Sequence, residues 1–415
     1  MSPAGLVPLA GEVRDYAWGR VGGIRAALGQ PPGTGPEAEL WLGAHAGAPS
    51  RALEATAAWT DLAVWEQRTG GSLPYLMKLL AAASPLSLQA HPSAEQARAG
   101  YAREEAAGVP LGAPERSYQD PHAKPEIIVA VEDGFDALCG FRPVEEVLAL
   151  LDTLAGLLDD PAVGVWRDRV ASAPGQGEVA GHTGSGVRAA VAWLLSGDPE
   201  VGRLVRALGG EDLDGLPERD ADLVRLLTAH HPGDPGIAVA LMLNRVRLAA
   251  GEALWLPAGN VHAYLSGLGV EVMGPSDNVL RGGLTGKHVD VPELLRVLDF
   301  TPGPPPRLAP VEVAPGVRAY RPSTQASGAD VPWQLLRVTG SADVATGSPS
   351  IALVLAGEFT LGAGEATLTL RRGDACFVDQ AGPVRIEGAE TSTSRPRRPE
   401  RSHARRARRV ARLRS

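Results

Sequence analysis

The most constraining feature of the sequence is a block of helix-patterned residues that interrupts a region patterned as short strands. Between residues 16 and 141, short apolar runs such as Leu40-Trp-Leu-Gly43 alternate with Gly and Pro, which is typical of strands and tight turns. Over the next ninety or so residues, apolar side chains recur at intervals of three and four, which predicts helices. Strand patterning then resumes. We therefore predict a discontinuous β domain of residues 1–142 and 232–300, with a helical insertion at 143–231.

The region after the insertion predicts two further features. A last helix is expected from about Ile237 to Leu248, before the strands resume. A proline-dense stretch at 302–306 predicts a linker, and strand patterns beyond it predict a second β domain over residues 301–392. The segment 373–382 resembles 251–259 with one inserted residue, which an internal repeat or chance would explain equally well.

The charge of the chain is unevenly distributed. Residues 395–415 hold ten arginines and one glutamate, which leaves 30 basic and 47 acidic residues before them, so the body carries −17 and the tail +9. Because the tail has almost no apolar side chains, we predict that residues 393–415 are disordered. The acidic body opposes nucleic-acid binding, and the tail has no aromatic side chain to stack on bases, so no nucleic-acid partner is expected.

Length and composition exclude several classes of protein. A chain of 415 residues is too long for a single small binding module. No apolar run approaches the roughly 20 residues needed to cross a bilayer, and the first residues lack a signal-peptide pattern. The two cysteines, Cys139 and Cys376, lie far apart and belong to no metal-binding motif. We expect a cytoplasmic protein without a membrane partner, and a monomer.

The first candidate chemical motif is Ser87-Leu-Gln89-Ala-His91. In an extended chain, alternate residues share a face, so the Gln89 amide and the His91 imidazole would converge. An amide oxygen and an imidazole nitrogen can begin a metal site.

Two later segments supply the remaining donors. Pro125 favours an extended conformation at Lys124, which places Lys124 and Glu126 on the same side. His262 follows a Pro/Gly turn, where a strand would direct its imidazole inward. Together with Gln89 and His91, these residues form a nitrogen and oxygen donor set that suits zinc, manganese or iron.

Six motifs occur in a specific order and spacing over about residues 10–300. They are Asp15-Tyr-Ala-Trp-Gly19, Ala38-Glu-Leu-Trp-Leu-Gly-Ala-His45, Gln89-Ala-His-Pro92, Lys124-Pro-Glu126, Leu256-Pro-Ala-Gly-Asn-Val-His-Ala-Tyr264 and Ser276-Asp-Asn-Val-Leu-Arg-Gly-Gly-Leu-Thr285. In these motifs the chain resembles the type I mannose-6-phosphate isomerase family of the cupin superfamily. The resemblance implies a mainly β fold with a cupin-type (jelly-roll) catalytic barrel, an α-helical domain and a second cupin-like β domain.

The resemblance also implies a metal and a reaction. One Zn²⁺ per chain would be held by Gln89, His91, Glu126 and His262, and Arg281 matches the family's active-site arginine. The reaction would interconvert mannose 6-phosphate and fructose 6-phosphate through an enediolate that the metal stabilises.

Roles for other residues follow from that reaction. Arg281 and Lys124 are expected to add positive charge and to help open the sugar ring. For proton transfer, Glu271, Lys124 and His122 are all candidates, and the sequence does not choose among them.

The substrate is expected to meet a second group of residues. Ser87, Lys78 and Lys287 are candidates for binding the 6-phosphate, and Trp18 and Tyr264 for lining the pocket.

Two alternative functions were weighed. An iron-dependent cupin oxygenase commonly has a His-x-His pair and a glutamate within one motif, whereas the donors here are spread over the chain and include an amide. A non-catalytic sugar-phosphate-binding protein would be expected to have lost Arg281 or a metal ligand, and all of them are present.

Overall fold

The computed structural model describes residues 5–54, 58–172, 184–210, 213–347, 349–379 and 381–389. The predicted disordered tail, residues 393–415, lies outside them. A β-rich chain with several helices is confirmed. Among the described residues, no helix combines the length and the apolarity that a bilayer crossing requires.

The elements before the insertion are mostly strands. In chain order these are β1 (Leu6–Ala10), β2 (Glu12–Arg14), β3 (Arg20–Val21), β4 (Pro36–Glu37), β5 (Glu39–Leu42), β6 (Arg51–Ala52), β7 (Leu76–Ala82), β8 (Gln89–Ala90), β9 (Glu126–Ala130) and β10 (Phe135–Phe141). The helices among them are α1 (Gly23–Ala27), α2 (Leu62–Thr69) and α3 (Ala94–Ala106).

The insertion is helical, as predicted. Its helices, with the one that follows it, are α4 (Val144–Leu157), α5 (Ala162–Ala171), α6 (Ser185–Leu194), α7 (Pro199–Gly210), α8 (Glu218–His230) and α9 (Gly236–Leu241). Their apolar faces enclose one core, with Trp166 fully buried. The same core includes Leu88, Ala263 and Leu280, so the helices pack against the segments that carry Gln89, His262 and Arg281.

Strands resume after the helices. They are β11 (Leu243–Leu248), β12 (Ala253–Leu256), β13 (His262–Met273), β14 (Leu280–Arg281), β15 (Val311–Ala314), β16 (Val317–Tyr320), β17 (Leu335–Val338), β18 (Ala342–Thr346), β19 (Ser350–Leu353), β20 (Glu358–Ala363), β21 (Ala366–Arg371), β22 (Ala375–Val378) and β23 (Gly382–Ala389), with one helix, α10 (Val291–Val297). The predicted helix from Ile237 to Leu248 is wrong in its second half. There, Arg245-Val-Arg-Leu248 alternates in polarity, and the segment pairs as β11 with β10.

The long strand β13 connects the two sheets that surround the site. Its first half, from His262, pairs with β10 on one side and β8 on the other. From Gly267 onward it pairs with β7 and β9. Gly267 has a φ of 129°, and a Cβ there would lie 2.7 Å from the Phe135 Cα, so glycine permits the close approach at this change of neighbours.

The first strand of the chain does not join these sheets. β1 lies between β22 and β6 in a four-stranded sheet, with Leu9 opposite Ala375. β1 therefore pairs with a C-terminal strand and not with any strand that neighbours β13. Its pairing partner is hundreds of residues away, and a short apolar strand gives no sign in the sequence of which sheet it joins.

Candidate metal centre and active site

Three buried side chains bring potential metal ligands together. Donor atoms of His91, Glu126 and His262 lie within 4.8 Å of one another, and each residue is 1% exposed. The two carboxylate oxygens of Glu126 each lie 3.3 Å from the Nε2 atom of one histidine. Within the part of the chain that the structure describes, these two Nε2 atoms and Glu126 Oε2 have no hydrogen-bond partner. Buried polar atoms without partners are costly, and a cation among them would satisfy all three.

The backbone fixes the tautomer of both histidines. His91 Nδ1 lies 2.7 Å from the carbonyl oxygen of Asn278, and His262 Nδ1 lies 3.0 Å from that of Asn260. A carbonyl can only accept, so each Nδ1 carries the hydrogen and each Nε2 presents a lone pair to the centre. Burial lowers the pKa of His91 to about 4, so its imidazole is neutral and ready to bind a metal.

The carboxylate between the histidines is held ionised. Lys124 Nζ lies 3.2 Å from Glu126 Oε1. Burial alone would raise the pKa of Glu126, but the positive charge of Lys124 outweighs it and holds the pKa well below the usual range. β9 begins at Glu126, whose position is fixed by pairing with Leu256 and Met273.

Strand pairing places Gln89 and Arg281 beside the histidines. Gln89 lies opposite His262 on one side and opposite Arg281 on the other. Residues directly opposite in antiparallel strands project from the same face, so all three side chains face one way. The Arg281 guanidinium is half-buried and, within the described residues, makes no hydrogen bond or ion pair. Burial lowers its pKa, so an anion beside it would be stabilising.

A second polar cluster lies in the same interior. Lys78 Nζ lies 3.4 Å from Glu271 Oε2 and 3.4 Å from Glu39 Oε1, and the Tyr264 hydroxyl donates to Glu271 Oε1 at 2.9 Å. Burial opposes the charge on Lys78, but the two carboxylates raise its pKa above the ordinary value. The pKa of Glu271 is raised by its burial and by the negative charge of Glu126, against the effect of Lys78.

Other predicted residues lie outside these clusters. Lys287 is exposed in the loop after β14, and Ser87 is half-buried in the loop before β8. Trp18 is half-buried and stacks on Tyr16 with ring centroids 5.8 Å apart. His122 is exposed, and its backbone carbonyl accepts from the Asn278 side chain.

Sequence reasoning missed residues that support the ligands. The fully buried Asn278 side chain accepts from the backbone N–H of Gln119 at 2.7 Å and donates to the carbonyl of Asp120 at 2.8 Å. The Asp120 carboxylate in turn accepts from Ser276 Oγ at 2.9 Å. The motif Ser276-Asp-Asn278 was the available signal, because such side chains commonly bond to nearby backbone. Glu39, beside Lys78, was also missed.

A large cavity occurs elsewhere in the molecule. It has a volume of about 990 Å³ and lies between the outer face of β7 and β9 and the C-terminal strands. Its lining is mainly apolar, with Met77, Val129 and Phe359 among the residues, and contains none of the predicted site residues. The cavity is therefore separate from the residues of the candidate metal centre.

Comparisons with known proteins agree with this geometry. The family description "Phosphomannose isomerase type I, catalytic domain" matches residues 6–144. The chain is 33% identical to the mannose-6-phosphate isomerase of Escherichia coli over 395 residues, covering 92% of this chain and 96% of that protein. It is 32% identical to the human mannose-6-phosphate isomerase over 333 residues, covering 73% and 75%.

Solved structures of phosphomannose isomerases also superpose on this chain. A crystal structure of mannose 6-phosphate isomerase bound with zinc and yttrium superposes with a TM-score of 0.76 at 30% identity, covering 93% of this chain and 97% of that one. A variant of the Salmonella typhimurium phosphomannose isomerase superposes with a TM-score of 0.78 at 30% identity, covering 92% and 97%. The chain therefore belongs to the type I phosphomannose isomerase family.

Proposed function

We propose that this protein is a zinc-dependent isomerase that interconverts mannose 6-phosphate and fructose 6-phosphate. The observation that carries the proposal is the convergence of His91, Glu126 and His262, with three partnerless donor atoms, in a chain of this family. Gln89, on the strand beside His262, would supply a fourth ligand. This nitrogen and oxygen set suits zinc, which when bound supplies Lewis acidity to polarise a substrate oxygen.

Arg281 and Lys124 would supply the remaining positive charge. The unpaired guanidinium of Arg281 faces the same way as Gln89 and His262, so it can bind the substrate oxygen that becomes negative. Lys124 is held beside Glu126 and can donate a proton towards the ring oxygen during ring opening.

Glu271 is the group we assign to proton transfer between C1 and C2. Its raised pKa makes it a stronger base than an ordinary carboxylate, and it is buried near the proposed ligands. The other two candidates are less suited to this step. Lys124 is paired with Glu126, and His122 is exposed.

The 6-phosphate is assigned to Lys287 and Ser87. Both lie in loops next to the strands of the site, and the Lys287 side chain is exposed and has no ion pair within the described residues. Lys78 is already shared by two carboxylates, so we assign it to the interior cluster instead. Tyr264 and Trp18 would line the sugar pocket.

We further infer the finer architecture from family membership. The two sheets joined by β13 would form the cupin-type barrel, residues 143–231 the helical domain, and most of residues 301–392 a second cupin-like domain. A monomeric state and a cytoplasmic location stay predictions of the sequence.

The proposal is tested by metal analysis of the purified protein together with coupled assays on mannose 6-phosphate and unphosphorylated mannose. We expect about one zinc per chain and turnover of the phosphorylated sugar. Arg281→Ala should keep zinc and lose turnover, whereas His262→Ala should lose zinc. The control for both is His230→Ala, at the exposed end of α8, which should keep zinc and turnover. The reverse pattern would overturn the residue roles, and tight iron without sugar-phosphate turnover would favour an oxygenase.

A further inference from the structure

Three adjacent strands place one lysine between two carboxylates. Lys78 on β7 lies opposite Trp41 on β5 and opposite Glu271 on β13. Glu39 is two residues before Trp41, on the same face of β5, and reaches the same ammonium. The strand register therefore fixes the order Glu39, Lys78, Glu271 across the sheet.

Both carboxylates are fixed independently of the lysine. The indole N–H of Trp41 donates to Glu39 Oε2 at 2.7 Å, and the Tyr264 hydroxyl donates to Glu271 Oε1 at 2.9 Å. The ammonium lies 3.4 Å from each carboxylate and 4.9 Å from the centroid of the Trp41 ring. Both contacts are ion pairs, and both are longer than the roughly 2.8 Å of a tight charge-assisted hydrogen bond, so the ammonium is bound tightly to neither carboxylate.

We propose that Glu39 is a positioning residue for the isomerase reaction: it holds the Lys78 ammonium away from Glu271, so that Glu271 Oε2 keeps a free lone pair for the substrate proton. This inference rests on the proposed function. Nothing in it requires Glu39 to touch the substrate.

The charges facing Glu271 support this arrangement. One ammonium shared by Glu39 and Glu271 leaves a net negative charge in a buried cluster, where low dielectric strengthens each interaction. Burial and the negative charges of Glu126 and Glu39 raise the pKa of Glu271, while Lys78 and Lys124 act against them. Without the charge of Glu39, the ammonium would be drawn onto Glu271 and would occupy the oxygen that must accept the proton.

Glu39→Gln keeps the shape of the side chain and removes its charge. In the zinc-loaded enzyme we expect kcat to fall by about 10- to 100-fold, because the Lys78 ammonium would move onto the Glu271 oxygen that must accept the substrate proton. KM for mannose 6-phosphate should change less than about twofold, because Glu271 acts in the chemical step. Exchange of the C2 hydrogen of the substrate with solvent should slow in parallel, and the zinc content should stay unchanged.

A double-mutant cycle tests whether Glu39 acts through Lys78. In a Lys78→Met background, Glu39→Gln should change kcat by less than about twofold. An equal loss in both backgrounds would overturn the inference, as would a Glu39→Gln enzyme with normal kcat. Trp41→Phe, which removes the N–H that holds Glu39 together with part of the ring, should lower kcat in the same direction and provides the test if Glu39→Gln does not fold.

The matched control is Glu37→Gln. Glu37 is also buried, lies two residues before Glu39 and pairs with Arg25 at 3.2 Å instead of with Lys78. Replacing Glu37 should lower the melting temperature but leave kcat of the folded enzyme unchanged. If Glu37→Gln lost as much kcat as Glu39→Gln, the loss would be a general effect of removing a buried charge from this region.

The proposed function and this inference can fail separately. If the wild-type enzyme does not turn over mannose 6-phosphate, the proposed function fails. If it does and Glu39→Gln is equally active, only this inference fails.

Discussion

Residues that do not bind the metal decide how the ligands are held. The carbonyl of Asn278 fixes His91, while its side chain connects the turn at residues 119–122 to the start of β14. Asn260 offers His262 a carbonyl in the same way, but its side-chain oxygen is buried and finds no hydrogen-bond partner among the described residues. Two asparagines with the same backbone role therefore differ in what their side chains contribute.

Asn278→Ala is expected to destabilise the protein by about 3 kcal/mol, because it leaves several backbone groups of the turn without partners. Zinc affinity should fall by about 10- to 100-fold, since the carbonyl that orients His91 is no longer held. Urea denaturation and a chelator-competition titration measure the two effects. Asn260→Ala should change both much less, and equal effects from the two substitutions would contradict this account.

The two thiols are expected to be inert in the folded protein. Burial raises the pKa of both Cys139 and Cys376 to about 12, so at about pH 8 only roughly one thiol in ten thousand is ionised. Mass spectrometry after treatment with iodoacetamide should find both cysteines unmodified in the native protein and alkylated in guanidinium chloride. Rapid native labelling would show that one of these sites opens.

At the residue scale, the sequence indicated the ligands better than their supports. Strand periodicity, Pro125 and the Pro/Gly turn made Gln89, His91, Glu126 and His262 candidate donors, and the family resemblance assigned them as ligands. The structure brings three of them together, His91, Glu126 and His262. Glu39 could not be selected, because Lys78 lies 39 positions away and only the folded sheets bring the two close. For Asn278, the motif Ser276-Asp-Asn278 was a signal of bonding to backbone, but it did not indicate a partner 159 positions away. His122 was a reasonable candidate by proximity to Lys124, but its side chain is exposed.

At the scale of elements, β13 carries three residues of the site. His262 lies at its start, Tyr264 follows two residues later, and Glu271 lies near its end, while Gly267 marks the change of neighbouring strands between them. The pattern of the sequence predicted a strand here, but not that it pairs with different neighbours along its length. That feature depends on the contact between Gly267 and Phe135, which involves a distant segment.

Gly267→Ala is expected to destabilise the protein by about 3 kcal/mol. The added Cβ would lie 2.7 Å from a backbone atom of Phe135 in a region of φ that alanine disfavours. Thermal denaturation measures the loss, and the matched control is Gly164→Ala. Gly164 lies in α5 with open space around it, so alanine there should stabilise the helix by about 0.5–1 kcal/mol. A neutral Gly267→Ala would show that β13 can adjust its path.

The spacing of apolar residues did not predict correctly where one helix ends. The helix after the insertion was expected to reach Leu248, but it ends at Leu241, where the chain becomes β11. An apolar run followed by alternating residues fits both elements locally, and pairing with β10 decides for a strand. The helices of the insertion were predicted because their three-and-four spacing continues over several turns.

At the scale of the whole molecule, the two ends of the described chain are structurally joined. β1 lies in the sheet formed with β22, and Phe377 of β22 contacts the rings of Trp59 and Trp65 edge-on, with centroids 5.7 and 4.8 Å away. The linker near residue 302 is therefore not a point at which the chain divides cleanly. Composition predicted the linker, but not this return of the C-terminal strands to the first residues.

A chain truncated after residue 300 should fail to fold into a zinc-binding protein, because β1 loses β22, one of its two neighbouring strands, and both tryptophans lose their contact with Phe377. Size-exclusion chromatography and metal analysis measure the outcome. A chain truncated after residue 392, which loses only the arginine-rich tail, should keep zinc and turnover. A monomeric, zinc-loaded 1–300 fragment would show that the first part folds alone.

The pairing of β1 with β22 also has a consequence for biosynthesis. Leu9 leaves the ribosome long before Ala375, its neighbour in the finished sheet. At roughly 5–20 residues per second, the interval is on the order of 20–70 s. Throughout that time, the nascent chain presents Trp59 and Trp65 without Phe377. Completion of this sheet is therefore among the last events of synthesis. A ribosome that stalls before β22 holds a chain whose two tryptophans still lack this contact.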